Sequence, residues 1–236
     1  MEHKLYTIGY ATKEIETFVS LLKQNNITCL IDVRSSPFSK TFSDYDKPKL
    51  KEKLKSEGIL YAHFGEEFGA RRIENDAYSI SYNLKGEKKE QVDFSKVYSL
   101  PAFQKGVKRV FKALEQGYRI CFMCSEKYPV DCHRFWMVAY YFATLSMQFE
   151  IINIISEEET QSFNDVLKEV DLLKEKASFY KQHDEELNPC SLVNIPVPSW
   201  VQYWDDFFSS NEHEDNKKQK FSNIRIGYAK GGEEND

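Results

Sequence analysis

Two hydrophobic periods alternate along the first 155 residues of this chain. Short, nearly continuous apolar runs rich in β-branched and aromatic residues are typical of strands that are covered on both faces. Five such runs predict five strands: "KLYTIGY" (4–10), "ITCLIDV" (27–33), "ILYAHF" (59–64), "YRICFMC" (118–124) and "FEIINII" (149–155).

Helical spacing fills most of the sequence between these runs. Ile15, Phe18, Val19 and Leu22 recur at i, i+3, i+4 and i+7, which predicts an amphipathic helix over residues 13–24. The same reasoning, with proline and glycine as start and stop signals, predicts further helices over residues 47–58, 101–117 and 132–145. Strands that alternate with helices favour an α/β, Rossmann-like fold with a mainly parallel sheet and right-handed crossovers.

Two segments of this region have no regular period. Residues 34–46 are rich in serine and contain Pro37, which indicates a loop. Residues 65–98 are polar, and "LKGEKKEQ" (84–91) within them is typical of an exposed turn.

The character of the chain changes after residue 155. Ser156 and Glu159 have the spacing of a capping box, and apolar residues from Phe163 to Ala177 occur at helical intervals. A proline-marked connector and a charged tail follow. We therefore predict an α/β domain over residues 1–155 and a helical and irregular extension over residues 156–236 that packs on it.

Composition and charge limit the choice of partners. Hydrophobic residues make up 41% of the 236 residues, which suffices for a buried core and argues against disorder. The net charge of −5 argues against a surface that coats nucleic acid, because such binding needs many lysines and arginines. A small anionic or nucleotide-like ligand is the predicted partner, with nucleic acid at a local basic site as the alternative.

The cellular setting is also predicted from the sequence. The amino terminus lacks the apolar stretch of a signal peptide, and the longest apolar run, residues 135–145, is about half the length needed to cross a bilayer. We expect a cytoplasmic protein without membrane contact. In that compartment its five cysteines should be thiols rather than disulfides.

Residues with chemical potential cluster where the predicted strands end. In open parallel sheets, ligands bind at the carboxyl ends of the strands, where loops converge. The rule gathers candidates that are far apart in sequence: Gly9, Tyr10, Asp32, Arg34, Ser39, Cys124 and Glu126, followed by Cys132, His133 and Arg134 at the start of the next helix.

Asp32 and Arg34 permit two compatible interpretations. They are two residues apart on a strand and can face the same way. Either they form a buried ion pair that braces the loop, or Arg34 binds a phosphate or carboxylate while Asp32 orients it or takes a proton.

The stretch "CSEKYPVDCHR" (124–134) permits four interpretations. If the helix begins near Asp131, free N–H groups and Arg134 could bind an anion and lower the pKa of Cys132 modestly. Cys132 could instead only pack in the core, or form a redox pair with Cys124. A metal site is disfavoured because side chains of Cys132 and His133 would point about 100° apart on a helix, so no metal is predicted.

Several stretches together resemble one known family in order and spacing. They are "YTIGY", "LIDVRSSPFS", "LYAHFGEEFGARR", "PAFQKGVKRVFKAL" and "CFMCSEKYPVDCHR". They resemble the DUF488 family of uncharacterised prokaryotic proteins over residues 4–155. The family pattern has histidine and serine where this chain has Tyr10 and Ala11.

The resemblance implies a fold and a set of site residues. Carried over position by position, the set is Gly9, Asp32, Arg34, Pro37, Ser39, Gly69, Arg71, Cys124, Glu126, Pro129, Cys132, His133 and Arg134. We take Asp32, Cys124, Glu126 and Cys132 as candidate catalytic residues. Ligand binding is assigned to Gly9, Tyr10, Arg34, Ser39, Arg71, His133 and Arg134.

Two classes of function follow from these residues. The first is an enzyme that acts on a phosphorylated, nucleotide-like or nucleic-acid ligand through the arginines, the helix end and a Cys/Glu cluster. The alternative is a non-catalytic module that senses a nucleotide or anion, or a Cys124/Cys132 redox or metal site. The sequence specifies no cofactor.

Overall fold

A computed structural model describes residues 3–82, 88–145 and 149–172 of the chain. These residues belong to two compact units. The first consists of residues 1–70 and 98–167, and the second begins with the excursion formed by residues 71–97.

A six-stranded sheet forms the centre of the first unit. Its strands are β1 (His3–Gly9), β2 (Cys29–Asp32), β3 (Leu60–His63), β6 (Ile120–Cys124), β7 (Phe149–Ile154) and β8 (Thr160–Ser162). They lie in the order β3-β2-β6-β1-β7-β8. Every pairing is parallel except that of β7 with β8.

This order places three carboxyl ends side by side. β6 lies between β2 and β1, with Met123 opposite Asp32 and Cys124 opposite Gly9. All residues of β2 and β6 are buried, as their continuous apolar sequence predicts. The loops that follow β1, β2 and β6 therefore meet at one edge of the sheet.

Helices cover the sheet. They are α1 (Ile15–Gln24), α2 (Lys47–Ser56), α3 (Gly65–Phe68), α5 (Pro101–Glu115), a π-helical segment (Arg134–Ala139) and α6 (Tyr140–Thr144). Gly58 and Gly117, which follow α2 and α5, have φ angles of +76° and +82°. Glycine tolerates this left-handed backbone and so ends both helices where the sequence predicts.

The structure corrects the prediction for the segment after β7. Instead of a helix capped by Ser156 and Glu159, a turn returns the chain as strand β8, and helical residues begin only at 163. The backbone N–H of Ser156 donates to the carbonyl of Glu159. The capping box is formed by Ser162 and Asp165, because the Ser162 N–H donates to the Asp165 carboxylate at 3.0 Å and the Asp165 N–H to the Ser162 hydroxyl at 3.2 Å.

The excursion of the second unit contains a small hairpin. Strands β4 (Tyr78–Tyr82) and β5 (Lys88–Val92) pair antiparallel, and helix α4 (Phe94–Val97) follows. Residues 88–91 of the predicted turn therefore belong to a strand. The rest of that turn, residues 84–87, lies outside the described residues.

The predicted α/β class with a mainly parallel sheet is confirmed. The domain boundary at residue 155 stays a prediction, and residues 173–236 of the proposed extension lie outside the described residues. Among the residues that the structure describes, no helix is long and apolar enough to cross a membrane.

Candidate functional site

Most of the predicted site residues follow the carboxyl ends of β1, β2 and β6. The N–H groups of Tyr10 and Ala11 donate to the carbonyls of Cys124 and Ser125, at 3.1 and 2.8 Å, so that the two loops continue the pairing of β1 with β6. A Cβ atom at Gly9 would clash with the carbonyl oxygen of Glu126. Glycine at this position thus lets the two loops approach closely.

Two thiols and a carboxylate form the centre of this edge. The Cys124 and Cys132 thiols donate to the same oxygen of Glu126, Oε2, at 3.2 and 3.0 Å. The other carboxylate oxygen of Glu126 accepts a hydrogen bond of 3.0 Å from the Ser125 hydroxyl. Glu126 therefore holds the two sulfur atoms close together.

His133 completes the cluster from the other side. Its Nδ1 lies 3.7 Å from the sulfur of Cys124, and its Nε2 lies 3.0 Å from the carbonyl oxygen of Val33. A carbonyl only accepts hydrogen bonds, so Nε2 carries the proton. Nδ1 then presents a lone pair to the thiols in the neutral imidazole.

The three side chains form a group with metal-ligand geometry. The sulfur atoms of Cys124 and Cys132 and a ring nitrogen of His133 all lie within 4.8 Å of one another, and all three residues are buried. The prediction against a metal site assumed that Cys132 and His133 share a helix. That assumption is wrong: Cys132 is extended, with φ −135° and ψ 138°, after a 3-10 turn over Pro129–Asp131.

The predicted free helix terminus at Cys132 is also wrong. The Cys132 N–H donates to the carbonyl of Pro129 at 3.1 Å, and the helix that follows begins after the cysteine rather than at Asp131. Burial raises the pKa of the Cys132 thiol well above its usual value, with the nearby Cys124 adding to the effect. The expected modest lowering of this pKa is therefore contradicted.

Burial and the neighbouring groups shift the pKa values of the acidic residues and the histidine at the cluster. Burial alone would raise the pKa of Glu126, but the hydrogen bond from Cys132 and the charge of His133 bring it below its usual value. Burial opposes protonation of His133, but the interactions with Cys132, Glu126 and the Val33 carbonyl together outweigh it and raise the pKa of the imidazole. Asp131 is different, since burial and the Glu126 charge raise its pKa.

The Arg134 side chain bonds to groups within the protein, and its assignment to ligand binding stays a prediction. Its side chain is fully buried and donates to the carbonyls of Glu126 and Lys127, at 2.6 and 3.0 Å, and to the Thr7 hydroxyl at 3.4 Å. Each guanidinium nitrogen thus has a partner within the protein. Arg134 fixes the loop that carries Glu126.

Asp32 and Arg34 form a buried ion pair. The guanidinium donates to both carboxylate oxygens of Asp32, at 2.9 and 2.6 Å, and to the carbonyl of Tyr45 at 2.8 Å. Tyr10 and Tyr61 complete the network: Arg34 donates to the Tyr10 hydroxyl, and the Tyr61 hydroxyl donates to Asp32. This geometry favours the bracing interpretation, and ligand binding by Arg34, Tyr10 or Asp32 stays a prediction.

Ser39 and Arg71 complete the set of predicted ligand-binding residues. Ser39 serves its own loop, since its N–H donates to Asp46 at 2.8 Å and its hydroxyl accepts from the N–H of Phe42 at 3.0 Å. Arg71 is exposed and opens the second unit. Their assignment to ligand binding stays a prediction.

Sequence reasoning missed three residues that this edge uses. Tyr45 and Tyr61 bond to the Asp32–Arg34 pair, and Lys13 is buried beside the first loop. The aromatic residues have the signature of ordinary core, and a lysine in a polar loop has that of a solvated charge. The sequence therefore contains no signal that distinguishes these site residues from ordinary core aromatic residues or exposed lysines.

Comparison with known proteins gives one match. The family model described as "Domain of unknown function DUF488" matches residues 14–141, which include the whole cluster from Cys124 to Arg134. Neither the curated proteins nor the solved structures contain a match to this chain. The match covers more than half of the chain, in agreement with the resemblance found in the sequence, and the chain therefore belongs to the DUF488 family.

Proposed function

We propose that this protein binds one transition-metal ion of the zinc class through Cys124, Cys132 and His133, at the ligand-binding edge of its sheet. The observation that carries the proposal is the meeting of the three donor atoms within 4.8 Å of one another. Thiolate and imidazole ligands together favour zinc over magnesium or calcium, which prefer oxygen.

The distances suit tetrahedral coordination. With Zn–S bonds of about 2.3 Å and Zn–N bonds of about 2.0–2.1 Å, neighbouring ligand atoms are separated by about 3.5–3.8 Å. The separation of 3.7 Å between Cys124 Sγ and His133 Nδ1 lies in this range. The donor atoms of Cys124 and His133 are therefore already spaced for one shared ion.

The surroundings of His133 support the same proposal. Histidines that bind metals commonly donate their second ring N–H to a carboxylate or backbone carbonyl, which fixes the tautomer. The hydrogen bond from Nε2 to Val33 has this form. It leaves Nδ1, the nitrogen that faces the thiols, as the ligand atom.

Glu126 offers a fourth ligand. Its Oε2 already contacts both sulfur atoms, and a bound ion would replace the two thiol protons that this oxygen now accepts. Two thiolates, a carboxylate and a divalent ion sum to one negative charge. The guanidinium of Arg134, bonded to the carbonyl of Glu126, lies close enough to offset it.

The metal content of the purified protein tests the proposal. We expect one zinc ion per chain in protein that is prepared without a histidine tag, measured by inductively coupled plasma mass spectrometry. Cys124→Ala, Cys132→Ala and His133→Ala should each lose most of it. Cys121→Ala is the matched control, because Cys121 is a buried thiol on the same strand and belongs to the apolar core.

Two results would overturn the metal proposal. The first is a metal-free wild-type protein that also fails to take up zinc when it is incubated with a zinc salt. The second is an equal loss of zinc in Cys121→Ala, since that loss would reflect general damage rather than removal of a ligand.

A second candidate is the enzyme on a phosphorylated or nucleotide-like ligand. The position of Cys124 and Glu126 at the carboxyl ends of parallel strands favours it, because active sites of such sheets lie there. A catalytic Cys124 should react rapidly with iodoacetamide in chelator-treated protein at neutral pH. A thiol at Cys124 that stays unreactive after chelation would argue against this candidate and leave metal binding as the function.

A further inference from the structure

Lys13 is a buried charge without a partner. Its residue is only 8% exposed, and its Nζ atom is buried with no hydrogen-bond partner among the described residues. Lysines are almost never buried this deeply unless they are paired. Among the described residues, no carboxylate forms a hydrogen bond with this ammonium group.

The backbone of Lys13 lies in the loop after β1, which bonds to the loop after β6. The Lys13 N–H donates to the carbonyl of Tyr10 at 3.0 Å, and its carbonyl accepts a hydrogen bond of 2.9 Å from the Tyr45 hydroxyl. The preceding turn is tied to the loop after β6 by the hydrogen bond from Ala11 to Ser125. The backbone at Lys13 is thus held firmly in place.

Two more positive charges act on the same group. Burial, together with the charges of Arg134 and Lys127, lowers the pKa of Lys13 to about 8. Arg134 has its donors occupied by carbonyls and Thr7, so it contributes potential rather than a contact. Lys127 is only half-buried, with its Nζ 4.7 Å from the centre of the exposed Tyr128 ring, and can turn toward a ligand.

The adjoining backbone is also unusual. Thr12 has a φ angle of +66°, a left-handed conformation that is costly for a β-branched residue. Such strain, of about 1–3 kcal/mol, occurs most often at ligand sites and switch regions. Here it occurs at the residue immediately before the buried Lys13.

We infer that Lys13 and Lys127 bind the phosphate group of a small phosphorylated ligand between the loops that follow β1 and β6. A phosphate dianion matches a site with several positive charges better than a carboxylate does, and it supplies the charge that the buried ammonium lacks. The inference is independent of the metal, because Lys13 is not one of the proposed metal ligands.

Thermal unfolding with added phosphate tests this inference. At pH 7 and constant ionic strength, set with sodium chloride, inorganic phosphate should raise the Tm of the wild-type protein in a saturable way. Lys13→Met, which keeps the length of the side chain without its charge, should show no saturable increase. Lys55→Met, at an exposed lysine of α2, is the matched control and should respond like the wild type.

The unliganded variants give a second readout. Without phosphate, Lys13→Met should unfold at a temperature equal to or higher than that of the wild type, because an unpaired buried charge has been removed. A nucleoside 5′-monophosphate that raises the Tm more than phosphate does would identify the ligand as a nucleotide. Equal phosphate responses in the wild type and Lys13→Met, or none in the wild type, would overturn the inference.

Discussion

At the scale of single residues, the site depends on buried polar groups that each have a defined partner. The Nε2 atom of His133 donates a hydrogen bond to the carbonyl of Val33. The guanidinium of Arg134 donates to the carbonyls of Glu126 and Lys127. A buried polar group that loses its partner costs about 1–3 kcal/mol, and more when it is charged. These residues therefore act mainly by holding others in position.

Arg134→Lys tests this positioning role. Lysine retains the positive charge but lacks the planar fork that spans two carbonyl groups, so the loop that carries Glu126 should become less ordered. Zinc affinity should fall about 10–100-fold, as it does when groups that support a metal ligand are lost. Competition with a chromophoric chelator measures it.

The matched control for Arg134 is Arg119→Lys. Arg119 precedes β6 at the opposite end of the strand, where it bonds to the Tyr6 hydroxyl. That variant should bind zinc like the wild type. Equal zinc affinities in Arg134→Lys and the wild type would contradict the positioning role.

The pKa of Lys13 predicts a specific dependence of stability on pH. It is about 8 in the folded protein, below its ordinary value of 10.5, so the unfolded chain binds more protons between these values and stability rises with pH in that window. Without phosphate, the amount by which the free energy of unfolding of Lys13→Met exceeds that of the wild type should decrease as pH increases from 8 to 10. Urea unfolding measures the two free energies, and a constant difference would contradict the prediction.

At the scale of elements, hydrophobic periodicity in the sequence predicts the buried strands and the amphipathic helices. Each of the five predicted strands is present, with bounds that differ by a few residues, because apolar runs and helical spacing both reflect burial. Strand β8 escapes detection because its three residues are polar and exposed or half-buried. The helix is capped by Ser162 rather than by Ser156, because residues 156–159 form a tight turn instead of the first turn of the helix.

The candidate site could be predicted only in part. The rule for parallel sheets brings Asp32, Cys124 and Glu126 to one edge, and the structure places them there. The rule for parallel sheets does not predict which way a side chain points after a turn. The 3-10 turn over Pro129–Asp131 extends Cys132 toward Cys124, and the burial of Lys13 depends on contacts between two distant loops.

The junction of β1 with the loop after β6 gives a prediction at this scale. Gly9→Ala would place a methyl group against the carbonyl of Glu126, where only backbone movement can relieve the clash. We expect a loss of about 1–3 kcal/mol in the free energy of unfolding and weaker zinc binding. Stability close to that of the wild type, together with unchanged zinc affinity, would show that the two loops are not closely packed.

At the scale of the whole molecule, the family match and the site coincide. The matched residues, 14–141, contain all four proposed ligands as well as β2, β3 and β6. Strand β1 and Lys13 precede the match. The proposed metal centre therefore belongs to the part of the chain that defines the family, while the proposed phosphate site uses one lysine just outside it.

X-ray absorption at the zinc edge tests the central claim most directly, because it reports the atoms bound to the ion. For the wild-type protein, the account predicts two sulfur atoms at about 2.3 Å and two nitrogen or oxygen atoms at about 2.0–2.1 Å. Cys132→Ala loaded with zinc should retain one sulfur at most. A first shell of only nitrogen and oxygen in the wild type would contradict binding by Cys124 and Cys132.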